Sequence, residues 1–284
     1  MTIRICSLAS GSSGNATLIA SETTAVLVDC GLAARQVEAR LASLGVDPCR
    51  LDGILVTHAH ADHYRSAGTM HRRYRIPVHV DPSTAWALAL RPDRTSWSRI
   101  SEPQPIPDRI GDLEIRALDT RHGDPRHDGR TVAYRIEHAG WAVAVVTDLG
   151  RFDDRLIAAL RGVDAIVLEA NYDEAIVGRK LSDPRFARDW PYLRWVQSDR
   201  GHLSNRQCAE ALAEIVRDER AHVLLGHVSE NHFDPRRDNN DHRIAFDAVA
   251  RELARRRLPL PILHRTYRVG RVPAGCGAPI EIGA

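Results

Sequence analysis

The chain has 284 residues, 43% hydrophobic and 27% charged, with a formal net charge of +2. It is long enough to bury a large core, and its balanced charge does not point to a polyanionic partner by bulk electrostatics. No apolar run approaches membrane-spanning length, and the start Met1-Thr2-Ile3-Arg4-Ile5-Cys6-Ser7 lacks the layout of a signal peptide, so a cytoplasmic protein is expected. Five cysteines (Cys6, Cys30, Cys49, Cys208, Cys276) are odd in number and never paired as Cys-x-x-Cys, the pattern of reduced thiols.

Ile3 to Leu8, Ala16 to Ala20 and Ala25 to Asp29 read as short strands, separated by a Gly/Ser turn and then by Glu22-Thr23-Thr24. Ala33 to Leu44 has the helical spacing Val37, Leu41, Leu44 and stops at Gly45. Gly53-Ile54-Leu55-Val56 is a short buried strand, followed by a helix to about Tyr74, a strand at Pro77 to Val80, and a helix from Asp81-Pro82 through Leu90. Arg91 to Pro107 reads as a loop. Leu113 to Leu118, Val132 to Glu137 and Trp141 to Thr147 are strands, the last two joined by the hairpin signal His138-Ala139-Gly140. A helix at Phe152 to Leu160 and a strand at Ala165 to Glu169 follow. Asn171 to Arg200 reads as a long irregular loop rich in Arg and Trp. Ser204 to Gln207 has capping-box spacing and opens a helix to about Arg217; then come a strand at Ala221 to Leu225, a helix at His242 to Arg256 and a closing strand at Pro261 to Tyr267. The order of strands, then strand and helix, occurs once in each half. It predicts a single α/β (α+β) domain over residues 1–284, a four-layer αββα sandwich of two mixed sheets with helices on both outer faces.

Thr57-His58-Ala59-His60-Ala61-Asp62-His63 places four potential metal ligands within six residues, directly after a predicted strand. A structural zinc takes a closed tetrahedron that usually includes Cys; this set is His-rich, contains a carboxylate and has no Cys, which suits two adjacent divalent ions and hydrolytic chemistry. Other candidates stand at strand ends: Asp29, His122, Asp148, Glu169 and His227. Two neighbouring cations lower the pKa of a shared water and neutralise charge developing on a substrate oxygen. Imidazoles and carboxylates suit Zn²⁺ and also accept Mn²⁺. Asp29 is expected to hold a ligand His from behind, fixing its tautomer. His127 competes with His122 as the ligand in a charged connection, with His122 favoured.

His-x-His-x-Asp-His with a later His, Asp and His resembles the signature of the metallo-β-lactamase superfamily, over roughly residues 3 to 268. The resemblance implies that His58, His60 and His122 bind one metal and Asp62, His63 and His227 the other, with Asp148 bridging. His60 argues against the oxygen-reducing diiron branch, which carries Glu there. The segments Ser7 to Asn15, Leu168 to Asn171, Ser198 to Asn205 and Leu225 to His232 are similar to those of the YycJ/WalJ family of DNA exonucleases. In related tRNA 3′-end-processing nucleases, a His in the context matching His202 is thought to protonate the leaving oxygen, which implies the same for His202, with Glu169 orienting it.

The catalytic candidates are thus Asp62, His202 and Glu169, and the substrate-binding candidates Ser12, Asn15, Arg200, Ser204 and Asn205. The implied function is a two-metal phosphodiesterase, a DNA exonuclease with nucleic acid as partner. The alternative is a small-molecule hydrolase of the same fold acting on a cyclic phosphodiester, thioester or lactone; a non-catalytic binding protein is disfavoured by the intact ligand set. The aromatic and basic stretch Arg185, Arg188, Trp190, Tyr192, Arg194 and Trp195 could stack bases and pair phosphates, or pack as a hydrophobic lid.

Overall fold

Apolar patterning and turn chemistry set the elements of the computed structural model, which describes residues 1–90, 97–100, 102–216, 218–229, 239–266 and 279–283. In chain order these are β1 (Thr2–Ala9), β2 (Ala16–Ala20), β3 (Ala25–Val28), α1 (Ala34–Ser43), β4 (Gly53–Leu55), α2 (Ala61–Tyr64), α3 (Ala67–Tyr74), β5 (Val78–His79) and α4 (Pro82–Leu90). They continue with β6 (Arg109–Ile110), β7 (Leu113–Asp119), α5 (Pro125–Asp128), β8 (Val132–His138), β9 (Trp141–Val146), α6 (Asp154–Leu160) and β10 (Ala165–Glu169). The last are α7 (Glu174–Leu181), α8 (Trp190–Val196), α9 (Asn205–Ile215), β11 (His222–Gly226), α10 (His242–Arg255), β12 (Ile262–Arg265) and β13 (Ile280–Gly283). The strands sort into two sheets, so the chain is of mixed α/β class.

The chain divides into two compact units: Met1–Asp119, Asp124–Val145 and Thr266–Ala284 form the first, and Thr120–Gly123 with Val146–Arg265 the second. In the first unit, one sheet has the order β13-β1-β2-β3-β4-β5. Its β13-β1-β2-β3 part is antiparallel, and β3, β4 and β5 run parallel. Parallel neighbours share the direction in which their ends face, so the residues following β3 and β4 emerge at one edge. α1 packs Val37 and Leu41 into a core with Leu27, Ile54 and Met70, all buried. Removing the Leu41 side chain beyond Cβ would cost about 2–5 kcal/mol. The same unit holds the antiparallel run β6-β7-β8 with most of β9.

The second unit holds β10, β11 and β12 in parallel register. α9 opens with the capping box expected at Ser204: the Ser204 hydroxyl accepts the Gln207 N–H and the Gln207 carbonyl oxygen accepts the Ser204 N–H. The helix ends at Ile215, and the Arg217 expected to close it lies outside the described residues, as do Tyr267, Cys276 and His232.

Three expectations need correction. Residues 171–200 are not an irregular loop: they fold as α7, a 3₁₀ turn at Pro184–Asp189, and α8. Asp173 caps α7 by accepting the N–H groups of Ala175 and Ile176, Asp183 accepts the Arg185 N–H, and Val177, Leu193 and Val196 bury together with Tyr172. The single helix expected after the His cluster is two, α2 and α3, separated at Ser66, whose N–H and hydroxyl both donate to the Cys30 carbonyl. The short strands β6 and β13 were not anticipated; four residues or fewer give no readable period. Within the loop expected at residues 91–107, Trp97–Arg99 forms a 3₁₀ turn and Gln104 bridges to His79. Among the described residues, no helix is long and apolar enough to cross a membrane.

Candidate metal centre

In the first unit, β4 is followed by Val56-Thr57-His58, and the buried Tyr134 hydroxyl donates to the Val56 carbonyl at 2.9 Å. His58 and His63 are fully buried, and their rings lie 4.1 Å apart; the His60 ring lies 4.5 Å from that of His58. Asp29, two per cent exposed, accepts the Thr57 N–H at 2.9 Å through Oδ1 and the His63 Nδ1–H at 2.6 Å through Oδ2. The Thr57 hydroxyl lies 2.9 Å from Oδ2 of Asp29 and 3.0 Å from Nδ1 of His58. With Nδ1 protonated toward Asp29, the Nε2 of His63 carries the lone pair, which is the form a metal ligand needs. Asn15 Nδ2 lies 3.0 Å from that Nε2. Burial pushes the Asp29 carboxyl above the usual carboxylate range, against the pull of His63 and Thr57.

Gly31 keeps this loop tight. A Cβ there would meet the Asp62 carbonyl oxygen at 1.6 Å, and Gly31 N–H donates to Asn15 while Asn15 N–H donates to Asp62. Asp62 and His60 are the more open donors, with side chains 20% and 29% exposed; His60 Nε2 lies 3.7 Å from Asp128. Burial lifts the neighbouring Cys30 thiol to about 12, so no thiolate competes there.

In the second unit, His122, Asp148, Glu169, His202 and His227 are all buried. His122 donates from Nδ1 to the Gly201 carbonyl at 2.7 Å. His227 donates from Nδ1 to Glu169 Oε1 at 2.9 Å, and Asn171 donates to the His227 carbonyl. Both rings therefore also turn Nε2 outward as a lone-pair donor. Each of these Nε2 atoms lies 3.6 Å from Asp148 Oδ1. Two donors each about 2.1 Å from a tetrahedral Zn²⁺ stand roughly 3.4 Å apart, so the spacing fits ligands around a shared cation and is too long for hydrogen bonds. The donor chemistry and the fixed tautomers thus fit a divalent metal.

Glu169 links two functions. Its Oε1 accepts from both His202 (2.7 Å) and His227, and its Oε2 accepts the N–H groups of Leu149 and Leu203. Donor atoms of Asp148, Glu169, His202 and His227 lie within 4.8 Å of one another. Burial opposes the Glu169 charge, but His202 and His227 outweigh it and hold the carboxyl below its usual range.

Asp29 (φ 63°), Asp148 (φ 60°) and His227 (φ 49°) adopt left-handed backbone conformations just after β3, β9 and β11. Such conformations are uncommon outside glycine and collect at functional positions.

The residues expected to contact substrate meet different surroundings. Asn15 is buried and spends its amide on Gly11 and Asp62. Ser204, buried, accepts the Gln207 N–H in the helix cap and donates to Glu174, and Asn205, also buried, pairs with Asn240. Ser12 and Arg200 are exposed; Arg200 Nη1 reaches the Gly123 carbonyl at 3.4 Å. His127 is 81% exposed on α5, unlike the buried His122. Thr57, Asn171 and Gly31 support the donors and were not singled out. Thr57 stands beside His58 and Asn171 two residues after Glu169, and these positions are what signals them in sequence.

The family model described as the beta-lactamase superfamily domain matches residues 24–227. The chain belongs to the metallo-β-lactamase superfamily. It is 28% identical over 259 residues to "Exodeoxyribonuclease YycJ" of Bacillus anthracis, covering 89% of this chain and 90% of that one. It is 29% identical over 267 residues to "Exodeoxyribonuclease WalJ" of Streptococcus pneumoniae, covering 92% and 91%. Among solved structures, the metallo-β-lactamase fold protein YhfI of Bacillus subtilis aligns with a TM-score of 0.67 at 15% identity, covering 99% of each chain, a likeness of fold. Like others of the superfamily, this chain is a metal-dependent hydrolase.

Proposed function

We propose that this metallo-β-lactamase-fold hydrolase cleaves phosphodiesters in nucleic acid, acting on DNA as an exonuclease in the cytoplasm. We assign it two divalent ions, Zn²⁺ or Mn²⁺. Following the superfamily signature, His58, His60 and His122 serve one, Asp62, His63 and His227 the other, and Asp148 both. When bound, such a pair supplies a nucleophile at neutral pH and offsets negative charge developing on the substrate.

The observation that carries the phosphodiester reading is the buried Glu169–His202 pair at 2.7 Å. Glu169 fixes the Nδ1–H of His202 and stabilises the imidazolium formed when Nε2 takes up a proton. Nε2–H can then pass that proton to a departing oxygen. An alkoxide leaving group needs such a donor, whereas the thiolate of a thioester leaves without one. The three Nδ1-anchored histidines hold their donor atoms rigidly, which keeps the reacting geometry fixed, and Asp62 adds a more open carboxylate. Arg200, exposed beside Gly123, supplies a cation for substrate phosphate. The names of the two bacterial relatives favour DNA over a small phosphodiester.

The test is metal-loaded protein with end-labelled single-stranded and duplex DNA. Progressive release of labelled nucleotides is expected. Turnover of a small phosphodiester with no release from either DNA would overturn the nuclease reading.

A further inference from the structure

Residues of α8 divide between two jobs. Leu193 and Val196 bury in an apolar cluster with Tyr172 and Val177. Trp195 also packs against that cluster, and Tyr192, three positions before it and hence on a common face, extends from it toward solvent. The Trp195 ring stands edge-on to the His202 ring (5.3 Å, 88°) and at a steep angle to His122 (5.6 Å, 63°). Tyr192 stacks on Trp195 at 6.0 Å and 28° while remaining 53% exposed. The four rings form a ladder from the candidate proton donor His202 and the candidate ligand His122 out to solvent. Arg200 bonds the carbonyl of Gly123, the residue after His122, and so adds a cation at the foot of that ladder.

Core packing holds Trp195 in place, and the half-exposed tyrosine stacked on it presents aromatic surface beside the candidate reacting groups. It suits a flat, π-rich ligand held next to a phosphate. We propose that Tyr192 and Trp195 are the stacking platform for the unpaired terminal base adjoining the scissile phosphodiester, with Arg200 on its phosphate. The proposal rests on the phosphodiesterase reading and narrows it: a base inside a duplex has both faces covered by its neighbours, so the platform takes a single-stranded or frayed end.

The experiment compares two internally fluorescein-labelled single-stranded 12-mers on the metal-loaded enzyme. One carries normal terminal nucleotides, the other abasic residues at both ends; phosphorothioate end linkages slow cleavage so that anisotropy reads binding. The wild type is expected to bind the base-bearing oligomer roughly tenfold more tightly, in the range of one base stacked on an aromatic ring. Tyr192→Ala should bring that ratio close to one, with the salt dependence of binding unchanged because the phosphate contacts persist. Tyr192→Phe, which keeps the ring, should retain the preference. Equal binding of both oligomers by the wild type, or a ratio unaltered in Tyr192→Ala, would overturn the platform alone. Failure to bind either oligomer while DNA is still degraded would overturn the platform alone; failure to bind either, together with no release from single-stranded or duplex DNA, would overturn the nuclease reading and the platform with it.

Discussion

Asp29→Asn separates support of a metal ligand from support of the fold. The native carboxylate accepts at both oxygens, from Thr57 N–H (2.9 Å) at Oδ1 and from His63 Nδ1–H (2.6 Å) at Oδ2. Asparagine has one accepting oxygen and tolerates the left-handed φ of 63° at this position, so the backbone is kept and one acceptor is lost. If the amide NH₂ faces His63, the ring must move its proton to Nε2 and cannot ligate. If it faces Thr57, a buried N–H goes unpaired, at about 1–3 kcal/mol. Loss of a partner behind a ligand His typically costs 10–100-fold in metal affinity, or about 1.4–2.7 kcal/mol. Because burial already disfavours charge at Asp29 when no cation sits across His63, the metal-free protein should lose less than the metal-bound one. Competition against a chromophoric chelator, with Zn²⁺ and with Mn²⁺, reads the affinity; thermal unfolding of chelated and loaded protein reads the rest. Unchanged affinity would refute the tautomer argument, and an equal loss in both forms would make Asp29 a residue of the fold only.

Three more outcomes are expected. His202→Ala should lower kcat by about 10²–10⁴-fold, the usual worth of a general acid, with metal content intact; Glu169→Gln should lower both, because Oε1 serves His227 as well, and metal analysis beside kinetics tells them apart. Gly31→Ala places a methyl 1.6 Å from the Asp62 carbonyl, so a lowered melting temperature from about 1–3 kcal/mol of overpacking should accompany reduced metal binding, and a normal value for both would refute the close approach. Asp112 is opposed by burial, but hydrogen bonds from Thr24, Ser21 and Thr23 and the nearby His138 ring hold its carboxyl at about 2. A depressed carboxylate stabilises the fold above its unfolded value of 3.8 and loses that contribution as pH falls toward 2. With the side chain 34% exposed, solvent screening reduces the contribution to about 1 kcal/mol. The stability gap between wild type and Asp112→Asn, measured by urea unfolding, should therefore be open at pH 6 and closed by pH 2.

The donors were legible because each stands where a strand's apolar run gives way to a polar residue: Asp148 follows Val143 to Thr147, Glu169 follows Ile166 to Leu168, His227 follows Val223 to Gly226. The helices at residues 174–196 were not, because arginines and partly buried tryptophans interleaved with Val177, Leu193 and Val196 blur the period those three would otherwise display. The cap at Ser204 was legible from the capping-box spacing alone: its hydroxyl accepts the Gln207 N–H as that spacing implies.

Backbone conformation is the layer no pattern in the chain revealed, and it bears on how the site is to be probed. Asp29, Asp148 and His227 share left-handed φ values, which an L-residue with a Cβ adopts at a cost of about 1–2 kcal/mol unless a short polar side chain offsets it. A chain ending a strand in that conformation turns sharply, and the turn aims the next side chains back over the sheet edge. Alanine at Asp148 would remove a candidate ligand and also withdraw the side chain that makes the turn tolerable, so a loss of metal would have two causes. Asp148→Asn keeps the turn and replaces the accepting Oδ1 or Oδ2 with an N–H that cannot ligate. If metal binding is lost in Asp148→Asn as completely as in Asp148→Ala, the charge and the second oxygen are what the site requires; if only Ala loses it, the turn with one neutral oxygen suffices.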